Sequence, residues 1–311
     1  MKKCIIIYNS NSGKIKNLNF FNQFCKILYK NNYQSCIYPT AYAGHAFEMM
    51  KTLPEVDLVI SIGGDGTFNE VVSGNIERKI PLLVAHIPYG TANDIGNMFG
   101  YKKDILENLK LLMNGSVQNV DICRINGQPF VYVAGFGKFV NISYETPREL
   151  KKRFGYLAYL IEGLKELNGK TKLYDLKYTV NGKTYEGNFS FIMISNANRI
   201  GGIDNFYKDI KLDDNKFEVL FCDLKSKKDI MRSLYYLKTK DITAVPGFYF
   251  YKTANLKLEF KTAIKEGWSI DGEEFRKETN LFEIDIIPQF KILMPNKNVK
   301  KLFIGEECNN A

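Results

Sequence analysis

The chain carries Gly63-Gly64-Asp65-Gly66-Thr67 directly after the run Leu58-Val59-Ile60-Ser61-Ile62 and directly before Phe68-Asn69-Glu70, an order that few folds accommodate. A short, nearly continuous apolar run reads as a strand covered on both faces, the kind found in parallel sheets. Glycines at the C-terminal end of such a strand, followed by a helical pattern, occupy the position where open α/β sheets take their ligands. Without side chains, backbone N–H groups can approach phosphate oxygens, and the start of a helix adds favourable dipole charge for an anion. Asp65 would itself repel phosphate. Its carboxylate makes sense there as a magnesium or water-network ligand, or as an orienting group. Read without a ligand in mind, the same residues form a glycine-rich turn before a helix, with Thr67 as its cap.

The surrounding pattern agrees with a parallel sheet and crossover helices. Strands are expected at Ile5 to Tyr8, Ser35 to Tyr38 and Leu82 to Ile87, with helices over Asn19 to Asn31, Gly44 to Thr52, Phe68 to Ser73 and Asp104 to Met113. A second polar loop, Pro88-Tyr89-Gly90-Thr91-Ala92-Asn93-Asp94, ends the strand expected to lie beside the first. Two such loops side by side imply a nucleotide, with Thr91 and Asn93 as donors; the plainer reading makes either an ordinary helix cap. Asn9-Ser10-Asn11-Ser12-Gly13 also follows a strand and suits another backbone cradle or a simple turn. After Asp121 the pattern changes to short alternating segments such as Phe130 to Val133, Phe191 to Ile194, Phe217 to Leu220 and Leu256 to Phe260, with a hairpin signal at Asn181-Gly182. Helical insertions are expected at Arg148 to Leu167 and Lys227 to Leu237. The expected fold is therefore an N-terminal doubly wound α/β nucleotide-binding domain over residues 1–121 and a mostly antiparallel β-sandwich over residues 122–289.

Composition narrows the function without choosing it. With 311 residues and 45% apolar content, the chain can bury a sizeable core. Its six cysteines show no disulfide or zinc spacing, and no apolar stretch approaches the ~20 residues of a membrane span, so a reducing cytosol is expected. The net charge of +9 favours an anionic partner, which could be nucleotide phosphate or an acidic membrane surface; scattered basic residues and the absence of a recognised module argue against nucleic acid. Neither a GxxxxGK[ST] loop nor the protein-kinase motif set is present, so a nucleotide site must be of another kind.

The pair Gly63-Gly64-Asp65-Gly66-Thr67 with Asn69-Glu70, then Gly90-Thr91-Ala92-Asn93-Asp94, resembles the signature of the diacylglycerol kinase catalytic superfamily, which includes sphingosine and ceramide kinases and, more distantly, NAD kinases. Val120-Asp121-Ile122, Ser143 to Pro147, Lys211 to Asp214 and Ile270-Asp271-Gly272-Glu273 are similar to its soluble bacterial diacylglycerol kinase branch. The resemblance implies that residues 290–306 complete the first domain and that the second takes a lipid substrate. It implies transfer of the γ-phosphate of ATP to a diacylglycerol hydroxyl in an anionic membrane, by a cytoplasmic protein that visits the inner face of that membrane and can form a homodimer.

Carried over by position, ATP would contact Asn9, Ser10, Asn11, Ser12, Gly13, Thr40, Gly64, Asp65, Gly66, Thr67, Phe68, Asn69, Glu70 and Thr91. Asp65 and Asp121 would join the Mg2+ and water network, and Glu273 would accept the hydroxyl proton. A second, structural magnesium is implied at Asp214 with the carbonyls of Lys211 and Lys216. From the residues alone, Asp271 to Glu274 is most simply a polar turn. Three positions depart from the pattern: Ser10 stands for proline, Tyr89 for a residue that is often small or apolar, and Asn215 for glycine after Asp214; asparagine can still adopt φ > 0. Other readings are a kinase of phosphatidylglycerol, a sphingoid base or NAD, or a catalytically silent binding protein. A stretch with Arg148, Lys151, Lys152 and Arg153 ahead of Tyr156 and Leu157 could rest on anionic headgroups or pack on the core.

Overall fold

A computed structural model of the protein describes residues 1–10, 12, 18–137, 172–226, 228, 229, 232, 235, 236, 242–296 and 299–304. The chain divides into two compact units, Met1–Val120 with Gln289–Ala311, and Asp121–Pro288. In chain order the first unit contains β1 (Lys2–Asn9), α1 (Leu18–Lys30), β2 (Tyr33–Thr40), α2 (His45–Thr52), β3 (Leu58–Gly63), α3 (Asp65–Ile76), β4 (Val84–Pro88), α4 (Asp94–Met98) and α5 (Ile105–Met113). Next comes β5 (Ser116–Ile125), which runs on past the unit boundary.

Strands β2, β1, β3 and β4 are parallel neighbours in that order, and the register pairs Asn9 with Thr40 and Gly63 with Pro88. Every residue of β3 is buried, as its unbroken apolar run requires. Helix α1 packs with α5 and α2 with α3, completing the doubly wound arrangement. Phe68 on α3 is fully buried and stacks on His86 of β4 with ring centroids 4.7 Å apart. Burial pushes the His86 imidazole down to about 3, with the Ser61 backbone opposing this only in part.

The second unit contains β6 (Gln128–Phe130), β7 (Val133–Gly137), β8 (Tyr174–Val180), β9 (Lys183–Phe189), β10 (Phe191–Ser195), β11 (Arg199–Ile200), β12 (Ile203–Asp204) and β13 (Phe217–Cys222). It continues with β14 (Phe248–Thr253), β15 (Leu256–Ile264), β16 (Trp268–Ile270), β17 (Glu273–Phe275) and the first part of β18 (Thr279–Met294). One antiparallel sheet runs β14-β13-β10-β7-β16-β17; in the other, β18 pairs with β15, which pairs with β8, which pairs with β9. The last part of β18 returns to the first unit, where Ile292 pairs with Val84 of β4. The inner faces of the two antiparallel sheets form one core, with Phe136 5.2 Å from Trp268 and 5.1 Å from Phe260 between ring centroids.

Three sequence expectations change in detail. The helix after the glycine turn extends from Asp65 to Ile76, and a short helix, α4, follows the second loop. The strand expected over Phe130 to Val133 is broken in two, because the amides of Val131, Tyr132 and Val133 all turn to the carboxylate of Asp271. The expected insertion at Arg148 to Leu167 lies outside the described residues, as does much of Lys227 to Leu237, where 228, 229, 232, 235 and 236 are helical. Among the described residues no helix is long and apolar enough to cross a membrane.

Candidate active site

The C-terminal ends of β1, β2, β3 and β4 bring together most of the residues singled out in the first unit. At the end of β1, Asn9 donates from Nδ2 to Thr67 Oγ1 at 2.9 Å, and the Ser10 hydroxyl donates to the Thr40 carbonyl at 3.1 Å. The two glycine loops touch. A Cβ on Gly90 would lie 2.6 Å from the Cα of Gly64, so neither loop could close on the other with a side chain at Gly90. The Tyr89 amide donates to the Gly63 carbonyl at 2.6 Å, while Asn93, at φ 53°, accepts the Gly90 amide at 2.6 Å. Thr40 and Thr67 are buried, and Thr91 is exposed.

The helix N-termini differ in what occupies them. At α5 the Asp104 side chain accepts the Glu107 amide at 2.7 Å, as an N-cap should. Helix α2 begins after Gly44, which has no side chain to offer; Glu70 supplies the acceptor instead, taking the Gly44 and Ala46 amides at 2.8 and 3.0 Å. Helix α4 is served likewise by Asp65, whose two oxygens accept the Asp94 and Ile95 amides at 3.1 Å each. Both acceptors project from α3. Its own N-cap is Gly64, which makes no side-chain cap, and among the described residues no hydrogen bond takes up the amides of Gly66 and Thr67. The first turn of α3 is thus the one of these four that presents amides without a carboxylate to meet them, at the strand end where an anion would enter.

These contacts revise what several expected nucleotide residues can do. Asp65 and Glu70 are the anchors of α4 and α2. Phe68 can take part only through its backbone, since its ring lies in the core. Asn69 Oδ1 accepts the Ser73 hydroxyl at 3.2 Å. Ser12 donates its amide to the Asn9 carbonyl at 3.1 Å, and Asn11 and Gly13 lie outside the described residues.

In the second unit, Asp121 is 2% exposed and its Oδ2 accepts the Asn215 amide at 2.6 Å. Asn215 has φ 56°, so asparagine does adopt the left-handed conformation expected of it. Asp214 Oδ2 lies 2.7 Å from the Lys252 ammonium and Oδ1 accepts the Lys216 amide at 3.1 Å. The same ammonium is 3.4 Å from Glu218, which is fully buried; burial raises that carboxyl to about 8, partly opposed by Lys252. Sequence reasoning passed over both Lys252 and Glu218, because a lysine and a glutamate on alternating strands carry no spacing signal. Glu273 is exposed on β17, directly after the turn Asp271-Gly272. Among the described residues no group of three or more His, Cys, Asp or Glu side chains could hold a metal.

A glycine turn between a buried parallel strand and an uncapped helix, touching a second glycine loop on the next strand, defines the class of α/β proteins that hold nucleotide phosphates on backbone amides. The model of the diacylglycerol kinase catalytic domain matches residues 3–125. Diacylglycerol kinase of Staphylococcus epidermidis is 30% identical over 274 residues, covering 88% of this chain and 86% of that protein. The Bacillus subtilis enzyme of the same name is 28% identical over 306 residues, covering 97% and 99%. The crystal structure of a diacylglycerol kinase from Bacillus anthracis superposes with a TM-score of 0.74 at 22% identity over 95% of this chain and 97% of that one, which shows the fold. The chain belongs to the diacylglycerol kinase family, a family of lipid kinases for which ATP is the co-substrate.

Proposed function

We propose that the protein transfers the γ-phosphoryl group of ATP to the hydroxyl of 1,2-diacylglycerol, giving phosphatidic acid. The observation that carries this reading is the first turn of α3, where Gly66 and Thr67 present amides beside the touching Gly64 and Gly90. The relatives' substrate supplies the acceptor. In this reading Gly64 to Thr67, with Asn9 to Gly13, Thr40 and Thr91, hold the nucleotide. Phosphoryl transfer asks for positioning and charge neutralisation more than covalent chemistry, and fixed amides supply both without reorganising. Glu273 accepts the proton of the attacking hydroxyl; its exposure on β17 leaves the carboxylate accessible to a substrate.

Magnesium bound with the nucleotide would neutralise charge on the transferred group. Such an ion is ordinarily held by substrate phosphates with one or two carboxylates, which fits the lone acids here better than a protein cage would. We assign Asp65 and Asp121 to the water network around that ion. Asp214 does not fit a second magnesium: the Lys252 ammonium already supplies its counter-charge, and no step is assigned to an ion there.

The net charge of +9 supports contact with an anionic membrane surface on the cytoplasmic side, where the lipid would be met. The test is transfer of labelled γ-phosphate from MgATP to diacylglycerol in anionic vesicles, sphingosine, phosphatidylglycerol and NAD, with wild type and Asp65→Ala. Phosphatidic acid made by the wild type alone is the expected result. Labelling of another acceptor would overturn the substrate, and transfer to none would overturn the activity.

A further inference from the structure

The turn that precedes Glu273 shares its backbone with other two-residue hairpins among the described residues, and differs from them in what surrounds its first side chain. Strands β16 and β17 pair Ile270 with Glu273, and the two connecting residues, Asp271 and Gly272, have φ of 49° and 89°. Strands β8 and β9 are joined in the same way by Asn181 and Gly182, with φ of 49° and 73°. Both loops require left-handed backbone at two successive positions, for which asparagine or aspartate followed by glycine is the usual solution. The hairpin alone therefore does not explain why a carboxylate stands at position 271.

What surrounds that carboxylate does. Asp271 is 6% exposed, while Gly272, Glu273 and Glu274 beside it are exposed. Its Oδ2 accepts the Val131 amide at 2.8 Å, and its Oδ1 accepts the Tyr132 and Val133 amides at 3.0 and 2.9 Å. The Asp271 amide in turn donates to the Val133 carbonyl at 2.8 Å. Three consecutive amides converge on one side chain, and that convergence is what breaks β6 from β7. Only a carboxylate can receive them all. An amide side chain has one oxygen and would turn an NH2 group toward at least one N–H, donor against donor. Charge-assisted bonds of this kind are shorter and about twice as strong as neutral ones.

We infer that Asp271 is a positioning residue: by clamping residues 131–133 it fixes the tip of the β16–β17 hairpin and, two residues on, the carboxylate of Glu273. The inference rests on the reading above, in which Glu273 accepts the proton. It assigns Asp271 no contact with substrate. The turn would still form with asparagine, but its tip would no longer be tied to the 131–133 segment, and displacements near 1 Å can cost about 100-fold in rate.

The test is a double-mutant cycle on phosphatidic acid formation with Asp271→Asn, Glu273→Gln and the double variant, together with ATP affinity for each. Asp271→Asn should lower kcat by about 10- to 100-fold with the Kd for ATP unchanged. The double variant should be no slower than Glu273→Gln alone, because a positioning residue has nothing left to position. Losses that multiply in the double variant, or wild-type kcat in Asp271→Asn, would overturn the inference. Wild-type kcat in Glu273→Gln would instead remove the reading beneath it. Should Asp271→Asn fail to fold, Asp271→Glu keeps the acceptors while lengthening the reach; the same cycle then applies, and additivity again overturns the claim.

Discussion

The two units use buried or half-buried carboxylates for opposite ends. In the first, Asp65 and Glu70 stand on one helix and satisfy the N-termini of two others, so their charges complement helix dipoles. In the second, Asp121 and Asp271 hold irregular loops, taking the amide of Asn215 and those of Val131 to Val133. The difference shows what a phosphate site needs from its frame. Every carboxylate spent on α2, α4 or α5 leaves the first turn of α3 as the place where an incoming anion finds unshared N–H groups. In the second unit Asp121 and Asp271 instead meet amides of loops.

The comparison can be broken most forcefully at Gly90. Because a Cβ there would meet the Gly64 Cα at 2.6 Å, Gly90→Ala should push the two loops apart and weaken ATP binding by about 100-fold, measured calorimetrically, with the second unit's fold unchanged. Unaltered affinity would mean that the touching loops are not the nucleotide cradle. Lys252→Met should cost about 1–3 kcal/mol in denaturant unfolding, since it leaves Asp214 and the buried Glu218 without their shared ammonium. If Asp214 instead held a magnesium ion, that loss would be reversed by millimolar Mg2+. Glu70→Ala removes a helix cap and should cost about 0.5–2 kcal/mol, visible as a lower Tm.

The smallest effect separates the units by pH. Glu218 keeps a proton up to about 8 in the folded state that it would release near 4.5 when unfolded, so its contribution to stability is full below about 4.5 and is lost as pH rises through about 8. Among the described residues, Lys252, Asp214 and the buried Cys123 and Tyr207 couple to it. His86 in the first unit behaves in the reverse sense: its contribution is full above 6.5 and is lost as pH falls toward about 3. Glu218→Gln should therefore flatten the fall of unfolding free energy between about pH 4.5 and 8 and leave in place the rise that His86 contributes at lower pH. An unchanged fall between about pH 4.5 and 8 would contradict this role of Glu218.

How much of this was legible in the sequence also differs between the units. The first could be read because its chemistry is periodic and local: an unbroken strand, glycines and a helix follow each other within a dozen residues, and β3 and α3 lie where that order puts them. The partners of Asp65 and Glu70 could not be read, since the amides they cap lie 24 to 30 residues away and leave no local signal. In the second unit the alternation showed strands but not the break at Val131 and Tyr132. That break is imposed by Asp271 from 138 to 140 residues away. Lys252 and Glu218 sit opposite one another across β13 and β14, a register that the strand pattern cannot supply.

The most direct test of the central claim is hydrogen–deuterium exchange of the whole protein with and without MgATP. Exchange should slow in the peptide spanning residues 64–70, where the amides of Gly66 and Thr67 would acquire phosphate partners, with no comparable change at Gly44 and Ala46, whose amides Glu70 already holds. Protection confined to other segments, with residues 64–70 exchanging as before, would contradict that claim.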